Sequence, residues 1–357
     1  MDFSFSEEQQ MVAQTVRDLL TDQCSSADLR KMMTAGEGLD EARWTKLCEM
    51  GLPGIMAPEE AGGLALKDED FVLVAEECGR AALPEPLVEH AGIAVPMLAA
   101  LIDNPAVRKV LEAAATGEGR VAVGHPANLF VDAADTAAAL LLWHNDEVHL
   151  VSVDDVKLVR QPSIDSFRRL FRVEWMPSAK TKVADAAKGK ALWALALDRG
   201  ALYAAAQCLG MGQRIVEIAV AYAKDRTQFG KAIGSYQAIK HHLANCQVKI
   251  EYARPAVYAA AATIETPGPE VRALVSNAKL SAVEAADFAA RTGVQVHGAM
   301  GYSWEVDVHF FLKRALGLAG AWGDRNMHLA RVADCVLNSG MPLGPAATFP
   351  GGTAHAR

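Results

Sequence analysis

The sequence predicts a mainly α-helical protein built from three consecutive units: an N-terminal helical domain, a small β-domain and a C-terminal antiparallel four-helix bundle. Apolar residues recur at helical spacing in the first and last parts of the chain, whereas short β-prone runs lie between them. Long helical segments joined by short connections are typical of an antiparallel bundle. We place the three units at residues 1–118, 119–185 and 186–340.

The N-terminal domain is predicted from the spacing of its apolar residues. Val16 and Leu20 lie one helical turn apart in the segment FSFSEEQQMVAQTVRDLL, so they face the same side of a helix. A turn rich in Pro and Gly, GLPGIMAPEEAGGLAL, precedes a second amphipathic run. That run predicts a helix that begins at Asp68 and buries Phe71 and Val74.

The β-domain is predicted from four short runs, VAVGH, ALLLW, VHLVSV and LFRVEW. Polar turns such as His144-Asn145-Asp146 separate the runs, as expected between strands. Three or four short strands form a modest sheet, which is stable only when a neighbouring helical unit covers one of its faces. The β-domain is therefore expected to pack against the helices.

The bundle is predicted from helical periodicity at residues 190–224, 236–264, 269–298 and 324–338. Residues 341–357 are rich in Pro, Gly and Ala, and this composition predicts a flexible tail.

Composition and charge exclude several classes of function. With 51% apolar residues, the 357-residue chain can bury a large core. A net charge of −8 and the lack of a dense Lys/Arg block argue against a nucleic-acid partner. No secretory signal or membrane-spanning run is visible, so we expect a cytoplasmic protein. HExxH, G-x-S-x-G, P-loop and CxxC motifs are absent, and no metal site is predicted.

Three segments carry motifs that occur together in one protein family. The first is the opening helix and the turn that follows it. The second, RTQFGKAIGSYQAIKHHLA, places Arg226, Phe229, Gly230 and Gln237 in an R-x-x-F-G-x(6)-Q pattern, and the third, QVHGAMGYSWE, begins at Gln295. In this order the segments resemble the flavin-dependent acyl-CoA dehydrogenase family, whose fold has the same three units.

The resemblance implies that the second and third motifs bind the ADP part of an FAD held by a neighbouring subunit. A guanidinium forms forked hydrogen bonds with phosphate oxygens, which suits Arg226. Glycine lets the backbone approach a nucleotide closely. Ala299 stands where the family usually has a second glycine. The implied FAD contacts are Arg226, Phe229, Gln237, Gln295, Gly298 and Ala299.

The same residues also allow simpler interpretations. Arg226 can be a cation near a helix C-terminus, where it stabilises the helix dipole by about 0.3 to 1 kcal/mol. Ser235 can cap the next helix, with Gln237 in its first turn.

The resemblance implies a reaction in which a carboxylate removes the proton α to an acyl-CoA thioester while a hydride leaves the β carbon for flavin N5. Such a base needs a dry site that raises its pKa towards neutrality. Some family members carry the base after the third motif and others carry it on the first bundle helix. Counting residues puts these two positions at Trp322 and Gly200, and neither is acidic.

Two nearby acids are candidates for a relocated base. Asp198 precedes Gly200 by two residues, which turns it about 200° around a helix from that position. Asp324 follows Trp322 by two residues, but it also precedes RNMHLARVADCVL as a good N-cap.

Other titratable residues near the motifs are expected to play no part in proton transfer. Glu305 matches a structural glutamate of the family. His241, His242 and His297 are expected to be interface or surface residues.

In the family, a T-E-P-x-A-G-S-D-like loop of the β-domain holds the flavin ring. The corresponding stretch here, VAVGHPANLFVDAADT, retains little of it beyond Pro126. The β-domain therefore resembles a reduced form of the family's middle domain.

The sequence thus keeps the motifs implied to bind ADP but lacks an acid at both base positions and most of the flavin-ring loop. Three hypotheses follow from this contrast. The chain is a complementing subunit that pairs with a paralogous acyl-CoA dehydrogenase subunit in a heterotetramer and serves a bulky substrate, such as a steroid side-chain acyl-CoA. Alternatively, it is a self-sufficient homotetramer with a relocated catalytic Asp, or a helical scaffold without flavin. For the enzymatic hypotheses the resemblance implies acyl-CoA as substrate, FAD as cofactor and an electron-transferring flavoprotein as acceptor.

Overall fold

The structure is a computed structural model of the chain and describes residues 5–36, 39–266 and 268–340. The predicted tail at 341–357 lies outside the described residues.

The N-terminal unit is helical, as predicted. Ser6 begins α1 with a capping box, in which its hydroxyl accepts from the Gln9 N–H and the Gln9 side chain accepts from the Ser6 N–H. The predicted helix at Asp68 is confirmed, and Phe71 and Val74 are buried in it. A π-helical segment, His90–Ala94, joins two short helices. The α-helices are α1 Glu7–Gln23, α2 Ser26–Ala35, α3 Glu41–Glu49, α4 Asp68–Ala81, α5 Leu87–Glu89, α6 Val95–Ala99 and α7 Pro105–Thr116.

The β-domain contains two small sheets with strand orders β1-β3-β4-β7 and β2-β6-β5. The four predicted runs form β1, β3, β4 and β6, whereas β2, β5 and β7 were not predicted because they are short or polar. Only β1 and β3 pair in parallel. The strands are β1 Val121–Gly124, β2 Val131–Asp132, β3 Ala139–His144, β4 Glu147–Ser152, β5 Lys157–Gln161, β6 Leu170–Glu174 and β7 Lys182–Ala184.

The C-terminal unit contains the four predicted helices and a further helix. That helix, α11, was missed because its first turns, VHFFL, are almost continuously apolar and hide the helical period. Helix α10 lies at the centre and packs against α8, α9, α11 and α12. The elements are α8 Ala186–Asp225, β8 Thr227–Gln228, β9 Lys231–Ala232, α9 Gln237–Thr263, α10 Pro269–His297, α11 Val308–Gly320 and α12 Arg325–Asn338.

Helices α4 and α8 cross at two glycines and join the first unit to the bundle. A Cβ atom added to Gly210 would lie 1.9 Å from the carbonyl oxygen of Glu76. A Cβ atom added to Gly79 would lie 2.1 Å from the carbonyl oxygen of Gln207. The two backbones therefore touch, and any larger residue at either glycine would separate the helices.

A buried arginine connects all three units. Arg314 of α11 donates from Nε to the carboxylate of Asp165 in the β-domain and from Nη1 to the carbonyl oxygen of Leu83, at 2.9 Å. Beside it, Arg168 pairs with Asp132 at 2.7 Å. The remaining cavity at this junction has a volume of about 20 Å³, which is enough for one water molecule.

None of the helices within the described ranges is long and apolar enough to cross a membrane.

Candidate functional site

The two bundle motifs meet at one end of the bundle. Ala223 of α8, Ile239 of α9 and Val296 of α10 belong to one small apolar cluster. Above it, the Tyr222 ring stacks on the His297 ring with a centroid distance of 4.2 Å and an interplanar angle of 28°. The fold therefore brings together Tyr222 and His297, which lie 75 residues apart in sequence.

Arg226 ends α8 and begins the β8–β9 hairpin. Its backbone N–H donates to the Tyr222 carbonyl oxygen at 2.8 Å, while its side chain is exposed. At the hairpin tip, Phe229 and Gly230 have φ angles of +52° and +81°. Phe229 is 93% exposed, so an aromatic ring stands free on the surface of the single chain. Arg226 is indeed a cation at a helix C-terminus, and this placement leaves its guanidinium free for a ligand.

The other implied contacts are exposed at the same end. Gln237 is the first residue of α9, as expected, and Gln295 lies in the last turn of α10. Gly298 ends α10 with φ +58°, and a Cβ atom there would meet no atom within 4 Å. The expectation that Ser235 caps α9 is wrong, because its hydroxyl donates backwards to the Ala232 carbonyl oxygen at 2.7 Å and Tyr236 is the N-cap.

This set of residues fits the ADP part of a nucleotide. It offers a permanent cation for phosphates, two amide side chains and a glycine in the left-handed region, with Ala299 exposed beside it. Because the groups lie on an exposed surface, they suit a ligand that another subunit presents.

The two positions of the family base lie against each other. Trp322 is 3% exposed, and its indole packs on Gly200 of α8. A Cβ atom added to Gly200 would lie 2.1 Å from Cδ2 of this ring. The indole also faces the ring of His125 at a centroid distance of 5.7 Å. Neither position supplies a carboxylate to this space.

The two candidate acids both have structural partners. Asp198 is buried and accepts a hydrogen bond from Nη2 of Arg331 in α12. Asp324 is exposed and caps α12, because its carboxylate accepts from the Met327 N–H at 2.8 Å. The expected N-cap is confirmed.

Four other residues discussed above also have definite places. Glu305 is exposed. His241 and His242 are exposed on α9 as expected. The expectation for His297 is wrong: it is 3% exposed, its Nδ1–H donates to the Gly293 carbonyl oxygen at 2.7 Å, and burial lowers its pKa.

Three side chains that were not predicted hold the backbone around Trp322. Asn128 Oδ1 accepts from the Trp322 N–H at 2.7 Å, and His328 Nε2 lies 3.0 Å from the Trp322 carbonyl oxygen. Lys279 Nζ donates to the carbonyl oxygens of Leu318 and Ala321 at 2.6 and 2.9 Å. No local signal marked Lys279, because Ser276, Asn277 and Ser281 surround it in the sequence.

Burial lowers the pKa of three titratable groups around Trp322. It lowers the pKa of His125 and of His328 to about 4, so both rings are neutral at pH 7. It also lowers the pKa of Lys279 to about 8.

The β-domain loop that would face a flavin ring is already paired within the chain. His125 Nδ1 accepts from the Ala127 N–H at 2.9 Å, and His125 Nε2 lies 3.2 Å from the Trp193 carbonyl oxygen. Asn128 is engaged with Trp322. The His125 ring nitrogens and Asn128 Oδ1 are thus engaged within the chain, so these atoms do not fit a role as hydrogen-bond partners of an isoalloxazine ring.

Two family models match the chain. They describe the acyl-CoA dehydrogenase N-terminal domain, at residues 6–118, and the acyl-CoA dehydrogenase C-terminal domain, at residues 188–337. The acyl-CoA dehydrogenase IpdE2 of Mycobacterium tuberculosis is 34% identical over 320 residues, which cover 88% of this chain and 92% of that protein.

Solved structures share the fold. The ChsE4-ChsE5 complex of Mycobacterium tuberculosis superposes with a TM-score of 0.85 at 22% identity, covering 96% of this chain and 100% of the matched chain. The Tcur3481-Tcur3483 steroid ACAD superposes with a TM-score of 0.80 at 24% identity, covering 92% and 98%. The domain models and the identity to IpdE2 together show that this chain belongs to the acyl-CoA dehydrogenase family.

Proposed function

We propose that the chain serves FAD-dependent α,β-desaturation of an acyl-CoA thioester as a complementing subunit, which binds the ADP part of FAD held by a paralogous partner. The observation that carries this proposal is the contrast between the two halves of the family site. The ADP-type residues are exposed at the end of the bundle, whereas the base positions hold Trp322 and Gly200.

In this proposal each exposed residue has a defined task. The Arg226 guanidinium neutralises the pyrophosphate, and Gln237 and Gln295 orient the nucleotide through amide hydrogen bonds. Phe229, which is 93% exposed in the single chain, becomes covered at the subunit boundary. FAD supplies the acceptor for the hydride that leaves the substrate β carbon. The partner supplies the carboxylate base and the thioester contacts.

The relatives support a hetero-oligomer and a bulky substrate. The ChsE4-ChsE5 complex consists of two differently named chains, and the Tcur3481-Tcur3483 protein is named a steroid ACAD. By analogy, we propose a heterotetramer that acts on a steroid-type acyl-CoA and passes electrons to an electron-transferring flavoprotein.

Co-expression with a genomically adjacent paralogue tests the proposal. We expect the two subunits to co-purify with bound FAD and to desaturate acyl-CoA. The chain purified alone should neither bind FAD nor desaturate acyl-CoA. In the pair, Arg226→Gln should lower the FAD content measured by flavin absorbance, and Arg226→Lys should restore part of it because the charge returns without the fork. Arg172→Gln on the β-domain, where Arg172 is exposed, is the matched control.

Two results would contradict the proposal. If the chain alone binds FAD stoichiometrically and desaturates acyl-CoA, it is not a complementing subunit. If Arg226→Gln retains as much FAD as Arg172→Gln, then Arg226 does not hold the pyrophosphate.

A further inference from the structure

The space between the two family base positions is filled by a single side chain. A carboxylate at either position would have to face the thioester α carbon, so the substrate belongs between positions 200 and 322. In this chain the Trp322 indole lies so close to Gly200 that even a methyl group on Gly200 would overlap Cδ2, Cε3 and Cγ of the ring. No gap for a thioester remains between them.

The turn that carries Trp322 is held in an unusual conformation. Trp322 has φ +57°, in the left-handed region that bulky residues rarely adopt. Such a backbone persists only when surrounding contacts hold it in place. Here Asn128 binds the Trp322 N–H, His328 lies at hydrogen-bond distance from its carbonyl oxygen, and Lys279 binds the preceding carbonyl oxygen of Ala321.

These anchors are themselves fixed in the bundle. His328 is fully buried, and its Nδ1 lies 3.1 Å from the Ser276 hydroxyl of α10. Lys279, also on α10, is 2% exposed. Side chains from the β-domain, α10 and α12 thus converge on one turn.

In the described part of the chain, Asp198 and His125, which lie near the two base positions, are held by other contacts. Asp198, the buried acid on α8 near Gly200, pairs with Arg331, and the neighbouring His125 uses both ring nitrogens within the chain. The pocket is therefore closed by shape and lacks a base.

We propose that Trp322 is a specificity-determining residue that excludes acyl-CoA thioesters from this chain's own site and so confines substrate to the partner subunit. The inference rests on the proposed division of tasks between two subunits. It concerns a different part of the chain from the ADP-type residues, so the two can fail separately.

Titration calorimetry with octanoyl-CoA tests the proposal on the full-length chain. Trp322→Gly removes the indole and suits the positive φ, and Trp322→Asn does so with a residue that tolerates the left-handed region. Trp322→Phe keeps an aromatic ring as the matched control. We expect no saturable binding by the wild type, and binding at least about tenfold tighter by the Gly and Asn variants than by the Phe variant.

Far-UV circular dichroism should show that each variant is folded. Equal binding by the wild type and the Gly variant would overturn the proposal, as would a lack of binding by folded Gly and Asn variants. The FAD content of the co-expressed pair reports the ADP-binding role, whereas octanoyl-CoA binding by the chain alone reports this closure, so a failure of one is distinguishable from a failure of the other.

Discussion

At the scale of single residues, the role of Asp324 decides between two of the hypotheses. Its carboxylate lies two residues after Trp322 and accepts the Met327 N–H at 2.8 Å. An N-cap hydrogen bond of this kind stabilises a helix by about 0.5 to 2 kcal/mol. A carboxylate used in this way is exposed and held by the first turn of α12, which is unlike the dry site a base requires.

We therefore predict that Asp324→Ser preserves stability and Asp324→Ala lowers the free energy of unfolding by about 1 kcal/mol, because only Ser can replace the cap. Urea denaturation of the two variants measures this difference. Both variants should bleach flavin with acyl-CoA at the wild-type rate in the reconstituted pair. Loss of bleaching in the Ser variant would instead identify Asp324 as the base.

Single residues also show which features of the site could be predicted from the local sequence pattern. The cap at Asp324 and the start of α4 at Asp68 were predictable because both depend on neighbours within one helical turn. Counting residues also assigns Trp322 and Gly200 to the base positions, and this assignment remains a prediction. The contact between Trp322 and Gly200 was not predictable, because the two residues lie 122 positions apart in the sequence.

At the scale of elements, the crossing of α4 and α8 depends on two glycines. An added methyl group at Gly210 or Gly79 would overlap the backbone of the other helix. The helical pattern of the sequence predicted both helices but carried no information on which residues face each other at the crossing. A glycine within a helical pattern marks only a place where a backbone can come close.

We predict that Gly210→Ala lowers the free energy of unfolding by about 1 to 3 kcal/mol, since overpacking forces the helices apart. Gly320→Ala is the control, because Gly320 ends α11 and an added Cβ atom there has no neighbour within 4 Å. The control should be neutral or gain up to about 1 kcal/mol. Thermal and urea denaturation measure both effects. Equal behaviour of the two variants would show that the crossing tolerates separation.

The missed helix α11 illustrates the same limit for element prediction. Its first residues are buried on several sides, so apolar residues do not alternate with polar ones. Burial by tertiary packing, which local pattern does not contain, decided its structure. The long helices α9 and α10 keep an exposed side along much of their length, and α8 does so outside residues 198–212, which are all buried, so their helical period is visible in the sequence.

At the scale of the whole molecule, Arg314 makes the three units dependent on one another. It contacts Leu83 and Asp165 from α11, and both ends of the Arg314–Asp165 ion pair are buried. Breaking a buried pair from one side leaves an uncompensated charge and typically costs about 3 to 5 kcal/mol.

We predict that Arg314→Met destabilises the chain by about that amount and that Asp165→Asn relieves part of the loss, because the remaining carboxylate charge is removed. A double-mutant cycle by urea denaturation measures the coupling. Far-UV circular dichroism and tryptophan fluorescence should report one shared transition. Separate transitions would mean that the β-domain unfolds independently of the helices.

The three-unit order was predictable for the whole chain, because period and composition change between the units. The domain boundaries at 118/119 and 185/186 remain predictions. The depletion of the flavin-ring loop also remains a prediction. What the sequence could not supply was the burial of polar residues such as Arg314, Lys279 and His328, since each depends on partners from distant segments.

The contact between Trp322 and Gly200 also constrains how the chain can evolve. A mutation of Gly200 to Glu would collide with the indole, and a mutation of Trp322 to Glu would place a carboxylate in a hole shaped for a larger ring. Each of these two substitutions is therefore unfavourable until the residue at the other position has also changed. Under the proposed complementing role, such epistasis makes the absence of an acid self-perpetuating and ties the evolution of this chain to that of the partner that supplies the base.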